Sequence, residues 1–178
     1  MMNLELNGKL IAETEHLLAN GDVSLALKLL EPFVNSDPPS ADALHMSGRL
    51  WLDGREDAET ALPLLEQAVA LDESPVSYRL TLGQCLCTLG RPRQALKTLG
   101  RLPPENQDAE VAALMATAYA KAGEDQHSLA AQRRAAELDP NETKHAIALA
   151  RALLQRDQLT EAITVLQVSK DRNPKDTE

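Results

Sequence analysis

Aromatic side chains supply only 2% of the 178 residues. Any core must therefore be built from alanine and leucine. Such a core suits closely packed helices, and the scarcity of β-branched or aromatic runs disfavours a sheet. No apolar run approaches the roughly 20 residues of a membrane-spanning helix, so membrane insertion is not expected. The opening segment MMNLELNGKLIAE has no signal-peptide apolar region. Cysteine is nearly missing too, with only Cys85 and Cys87 present. Two residues apart on one helix, they point about 200° apart and cannot readily pair. They read as reduced, small apolar residues, one in the core and one nearer a surface. A redox or metal role would need further Cys or nearby His partners, which this C-x-C lacks. These features point to a reducing cytoplasm.

Positive charge is in deficit. Lys and Arg number 18 against 27 Asp and Glu, which leaves a formal charge of −9 and a pI near 4.9. Such a chain repels phosphate backbones, so nucleic acid is not an expected partner.

The motifs of catalysis are missing as well. There is no G-x-G-x-x-G, no Walker-type run and no nucleophile elbow. His16, His45, His127 and His145 fall in four different predicted helices, none at metal-ligand spacing from Cys, Asp or Glu. They read as exposed helix histidines. The chain is expected not to be an enzyme and to use no cofactor and no metal.

What is present is a repeat. Ala109–Glu142 reads as two amphipathic helices joined by Ala122-Gly123-Glu124-Asp125 and closed by Asp139-Pro140-Asn141. Neither helix can bury its apolar stripe alone, so the unit must stack on copies of itself. Thirty-four residues on, Ala116 becomes Ala150, Tyr119 becomes Leu153, Ser128 becomes Ala162 and Pro140 becomes Pro174. Stepping back by 33, 35 and 34 leads from Ala116 to Gly83, Gly48 and Thr14. Five units result: 7–40, 41–75, 76–108, 109–142 and 143–176. Small residues recur where helices must cross closely.

A period of this length with two helices per unit resembles the tetratricopeptide repeat family, and the likeness covers nearly the whole chain. The resemblance implies an all-α, right-handed α-solenoid of ten helices, forming a single domain over 1–178. Helices are expected at 3–20, 23–35, 41–52, 58–71, 75–89, 92–101, 108–122, 125–138, 142–156 and 159–172. Asn20-Gly21 should end the first through a left-handed cap. Ser40, Asp108 and Asn141 should cap later ones, and Ser74-Pro75 should open the fifth with proline at its first position. Pro32 should bend or end the second helix. The fourth either starts near Thr60, with Pro63 in its first turn, or kinks. The turn Asp53-Gly54-Arg55-Glu56-Asp57 is one residue longer than its equivalents.

In this family the first helices of the units line a concave groove that binds peptides or partner helices. Carried over, the inward residues are Ile11, Glu15 and Leu18; His45, Arg49 and Leu52; Leu80, Gln84 and Cys87; Ala113, Thr117 and Ala120; and Ile147, Arg151 and Leu154. Each set repeats by about one helical turn and so shares a face. Leu18, Leu52, Cys87, Ala120 and Leu154 would form an apolar row beside a mixed polar one. With Arg49 and Arg151 at its edge, that row suits a peptide with Leu-like anchors and an acidic flank. The alternative is that Leu18, Leu52 and Leu154 are covered by the following unit. The family's carboxylate clamp is not expected, because its positions hold Ile11, Glu15, Met46, Ser77 and Thr81 in place of Lys, Asn and Arg.

The last helix carries Ile163, Val165, Leu166 and Val168, more apolar surface than one neighbour covers. Either Ile163 and Leu166 face the core, or this end is covered by another copy, a partner or a continuation of the chain. The expected function is a non-catalytic adaptor or scaffold binding a protein or peptide. The alternatives are a regulatory or targeting module accompanying an enzyme domain of transferase or oxygenase type, and a self-assembling solenoid, a homo-oligomer through the uncapped C-terminal helix.

Overall fold

A computed structural model describes residues 2–173 of the chain. Among them are ten α-helices and no strand. They are α1 (Met2–Ala19), α2 (Val23–Val34), α3 (Ala41–Arg49), α4 (Ala58–Leu71), α5 (Val76–Thr88), α6 (Pro92–Leu99), α7 (Ala109–Lys121), α8 (Asp125–Leu138), α9 (Thr143–Leu154) and α10 (Leu159–Arg172). The chain divides into two compact units, Met1–Arg91 and Pro92–Glu178.

In the first unit α1 to α4 each pack on the next helix, and α3 also meets α5. Its core joins Leu10, Ala26, Leu30, Ala43, Met46 and Leu50, with a second cluster around Leu44, Ala68 and Tyr78. In the second unit α6 to α9 likewise each pack on the next. There Leu149, Ala150, Leu153 and Ala162 form a core cluster with Leu129, Ala136 and Val165 against it.

The recurring small residues sit where the period requires them. Thr14, Gly48, Gly83, Ala116 and Ala150 are all buried on the first helices of the units. Ala26, Ala61, Ala95, Ser128 and Ala162 are buried on the second helices. A small side chain at each crossing lets two backbones approach without a void or a clash.

The first helix of each unit ends in the same way. One residue takes left-handed φ, and the N–H after it reaches back across the last turn. Gly21, Gly90 and Gly123 fill this place with φ of 80°, 69° and 76°. The closing bonds are Asp22 N to Leu17 O, Arg91 N to Leu86 O and Glu124 N to Tyr119 O, at 2.8–2.9 Å. Asp157 (φ 59°) does the same in the last unit, with Gln158 N donating to Leu153 O.

The second unit of the repeat carries its extra residue as a π-helical turn, Leu50–Gly54. Its closing bond, Asp57 N to Trp51 O at 2.8 Å, spans one residue more than the others. Single-residue insertions into helices are commonly absorbed this way.

Two boundary expectations are corrected, and α4 keeps its expected range of 58–71 rather than starting near Thr60. The helix α4 starts at Ala58, capped by Asp57, whose side chain accepts from Thr60 N at 3.0 Å. Pro63 therefore lies in the second turn, on the exposed side of the helix. Pro75 is the cap residue of α5 and not its first helical residue, because Ser74 is engaged with Asp72, its N–H 2.9 Å from Oδ1. Asn141 does not cap α9: Glu142 holds that place, and the Asn141 N–H turns back to Asp139 Oδ1.

Candidate interaction surface

Within the first unit, α1, α3 and α5 carry eight of the expected groove residues and the π turn the ninth, Leu52; within the second, α7 and α9 carry the rest. The middle row is open: Glu15, Gln84, Thr117 and Arg151 are exposed and Arg49 is half-buried. Ile11, Leu18 and Leu80 are half-buried. On α9 the whole set is open, with Ile147 37% and Leu154 47% exposed on either side of Arg151.

Leu52, Cys87 and His45 present almost no surface, at 6%, 3% and 8%. Leu52 lies in the π turn, where the wider winding points it differently from a residue of a continuous α-helix. His45 is held between α3 and α5. Its Nε2 pairs with Thr81 Oγ1 at 2.9 Å, and its ring stacks on Tyr78 with centroids 4.6 Å apart. The Tyr78 hydroxyl donates to Asp42 Oδ1 at 2.5 Å. Burial, followed by the nearby Arg49 charge, lowers the His45 pKa to about 4. The ring is therefore neutral at physiological pH. The expectation of four exposed histidines holds for His16 and His127 and is corrected for His45 and His145, which are buried.

For the cysteines one point is corrected: both are buried, where one was expected nearer a surface, and both are free thiols as expected. The Cys85 thiol donates to Ala58 O at 3.3 Å. Burial, then Glu59 and Glu66, push its pKa up to about 11, which keeps it protonated.

Between α7, α8 and α9 lies a cavity of about 180 Å³, lined by four alanines with Thr117, Gln132, Lys144 and His145. The Gln132 side-chain oxygen is buried there without a hydrogen-bond partner. Sequence reading passed over Gln132 and gave His145 no role. The available signal was positional, since Gln132 falls where other units hold Leu30, Leu65 and Leu99, all fully buried. Two other cavities of the second unit measure about 230 and 280 Å³, one lined from α7 and α8, the other from α8, α9 and α10. Among the described residues no group of His, Cys, Asp and Glu could hold a metal ion, and no helix is long and apolar enough to cross a membrane.

On α10 the buried residues are Ala162 and Ser169, with Val165 half-buried against the core. Ile163, Leu166 and Val168 are 52%, 41% and 44% exposed, so the expectation that Ile163 and Leu166 face the core is corrected. Those two lie roughly 100° round the helix from Ala162 and Val165, the residues that meet α9.

Residues 54–118 match the family model described as Tetratricopeptide repeat. Over that stretch the chain carries the tetratricopeptide repeat. Solved structures extend the likeness in fold to almost every residue. MamA from Desulfovibrio magneticus RS-1, from residue 41 to its end, superimposes with a TM-score of 0.79 at 18% identity, covering 97% of each chain. Another MamA structure gives 0.76 at 17% identity, over 92% of this chain and 95% of that one. TTC0263, a thermophilic TPR protein of Thermus thermophilus, gives 0.73 at 22% identity, over 96% and 93%. No curated protein matches the chain. The fold is all-α and TPR-like, and identities this low speak for the fold alone.

Proposed function

We propose that this tetratricopeptide-repeat protein is a non-catalytic adaptor that binds a protein partner through the exposed side chains of its first helices. The observation that carries this reading is the open stripe Ile147–Arg151–Leu154 on α9. Two apolar side chains flank a guanidinium there, a combination that suits a peptide with an apolar anchor and an acidic neighbour. Selection of peptides from a displayed library on the full chain would test it. Selected peptides should lose at least about tenfold in affinity on the Arg151→Glu/Leu154→Glu variant, each tenfold being worth about 1.4 kcal/mol. Unchanged affinity would overturn the reading.

A second reading, self-association through α10, rests on a comparison inside the chain. Leu159, Ile163 and Leu166 occupy the places of Ala58, Leu62 and Leu65 on α4, which are 6%, 8% and 0% exposed in a unit where α5 packs on α4. On α10 the same face is open, at 58%, 52% and 41%. Light scattering of the full chain should show a mass that rises with concentration, and Leu166→Glu should return it to that of a monomer. A wild-type mass that stays monomeric at all concentrations would exclude this second reading.

A further inference from the structure

The contact between α8 and α9 departs from the rest of the chain at its centre. In earlier units the corresponding pairs are Leu30 with Ala43, Leu65 with Tyr78, and Leu99 with Val111, every one of them buried. Between α8 and α9 the pair is Gln132 with His145. His145 is only 4% exposed, and no hydrogen bond engages its ring nitrogens among the described residues. The Gln132 oxygen is a buried acceptor without a donor. Both line the 180 Å³ cavity, whose rim carries the exposed residues Thr117, Lys144 and Ala148. Leaving an acceptor such as the Gln132 oxygen buried and unpaired costs stability, and native structures do so rarely. The natural account of such a site is a ligand that supplies the missing partners.

We propose that this cavity is a pocket for a primary carboxamide, the side chain of an Asn or Gln in a bound peptide. The inference rests on the adaptor reading and adds to it a residue preference at one place. The donor inventory selects the ligand. Gln132 Oε1 needs a donor, which an ionised carboxylate does not have. An ammonium or guanidinium has donors but no acceptor to offer the His145 ring or Lys144. An amide offers both functions: its NH₂ donates to Gln132 Oε1, and its carbonyl accepts from the His145 ring or from Lys144. The Thr117 hydroxyl already donates to Ala113 O at 3.1 Å, so it is left as an acceptor. Four alanines at the walls keep the space open for the methylene stem.

The test uses the full chain, isotope-labelled, titrated in NMR with propionamide, sodium propionate and propylammonium chloride. Propionamide should shift the side-chain signals of Gln132 and His145 saturably. The other two should need at least about ten times the concentration. Gln132→Leu installs the residue of the four other units, Leu30, Leu65, Leu99 and Leu166, so the variant should fold, and it should lose the response. An equal response to all three probes, no response because water alone fills the cavity, or a response that survives in Gln132→Leu would each overturn the proposal. The peptide selection separates this proposal from the adaptor reading. Peptides selected on the wild type should be enriched in Asn or Gln, and those selected on Gln132→Leu should not. Peptides that bind without that enrichment would sink the pocket and leave the adaptor standing. A library that yields no binder would sink the adaptor, and the propionamide titration would still decide whether the cavity takes an amide.

Discussion

A Cβ placed on Gly48 would lie 2.6 Å from both Cγ and Cδ2 of Leu65. Leu65 is fully buried and has little room to retreat, since core side chains interlock at near-crystalline density. Gly48→Ala should therefore destabilise the protein by about 1–3 kcal/mol through overpacking, more than the gain of about 1 kcal/mol in helix propensity. Urea unfolding of the two proteins reads the difference directly. Glu56 poses the opposite case, since it holds left-handed backbone at φ 55°. That conformation costs a non-glycine residue roughly 1–2 kcal/mol, while glycine costs about 0.5–1 kcal/mol in unfolded-chain entropy. Glu56→Gly should raise the melting temperature by a few degrees. Asp157→Gly should change it little, because Asp tolerates this conformation better.

At the scale of elements, α3 and α5 are joined by a polar link, His45 with Thr81 and Tyr78 with Asp42, in a part of the fold otherwise held by leucine and alanine. The link works with a neutral imidazole. The ring titrates near 6.5 when unfolded and near 4 when folded, so the unfolded state binds more protons between those values. Stability from this residue is thus fully present above pH 6.5 and is lost as pH falls from there through about 4. The full loss is roughly 3 kcal/mol, from about 1.4 kcal/mol per pKa unit. Comparing wild type with His45→Gln cancels the carboxylates that titrate in the same range. The stability difference between the two should shrink in favour of the variant as pH falls from 7 to 4.5. A constant difference would show that His45 does not titrate differently on folding. The same scale separates α10 from α4: the face that carries Ala58, Leu62 and Leu65 is buried on α4, where α5 packs, and exposed on α10.

For the whole molecule, the excess of nine negative charges sets how it meets other macromolecules. Screening at about 0.15 M salt leaves a Debye length of about 8 Å, short enough for local contacts such as Arg151 with an acidic peptide to escape the overall repulsion. A polyanion engages much more surface and does not escape it. Fluorescence anisotropy of a labelled DNA duplex should therefore show no binding at that salt. Selected peptides should bind under the same conditions.

The period, the ten helices and most of their ends were written in the chain itself. They depend on interactions within a turn or two: small residues at crossings, Asp108 and Ser40 as caps, glycine in left-handed turns. The candidate groove residues followed from the family resemblance, and α8 and α10 fall where the pattern puts them. Which side chains on those faces remain open was decided only by tertiary structure. Leu52, His45 and Cys87 are closed while Ile147 and Leu154 are open, although all were chosen by one spacing rule. Burial is set by neighbours 30 or more residues away in the chain, as with His45 and Thr81, and a local pattern carries no record of them. Gln132 and His145 are nearer in the chain, 13 positions apart, yet each is an ordinary polar residue on its own helix, and only the packing of α8 on α9 makes them two sides of one cavity.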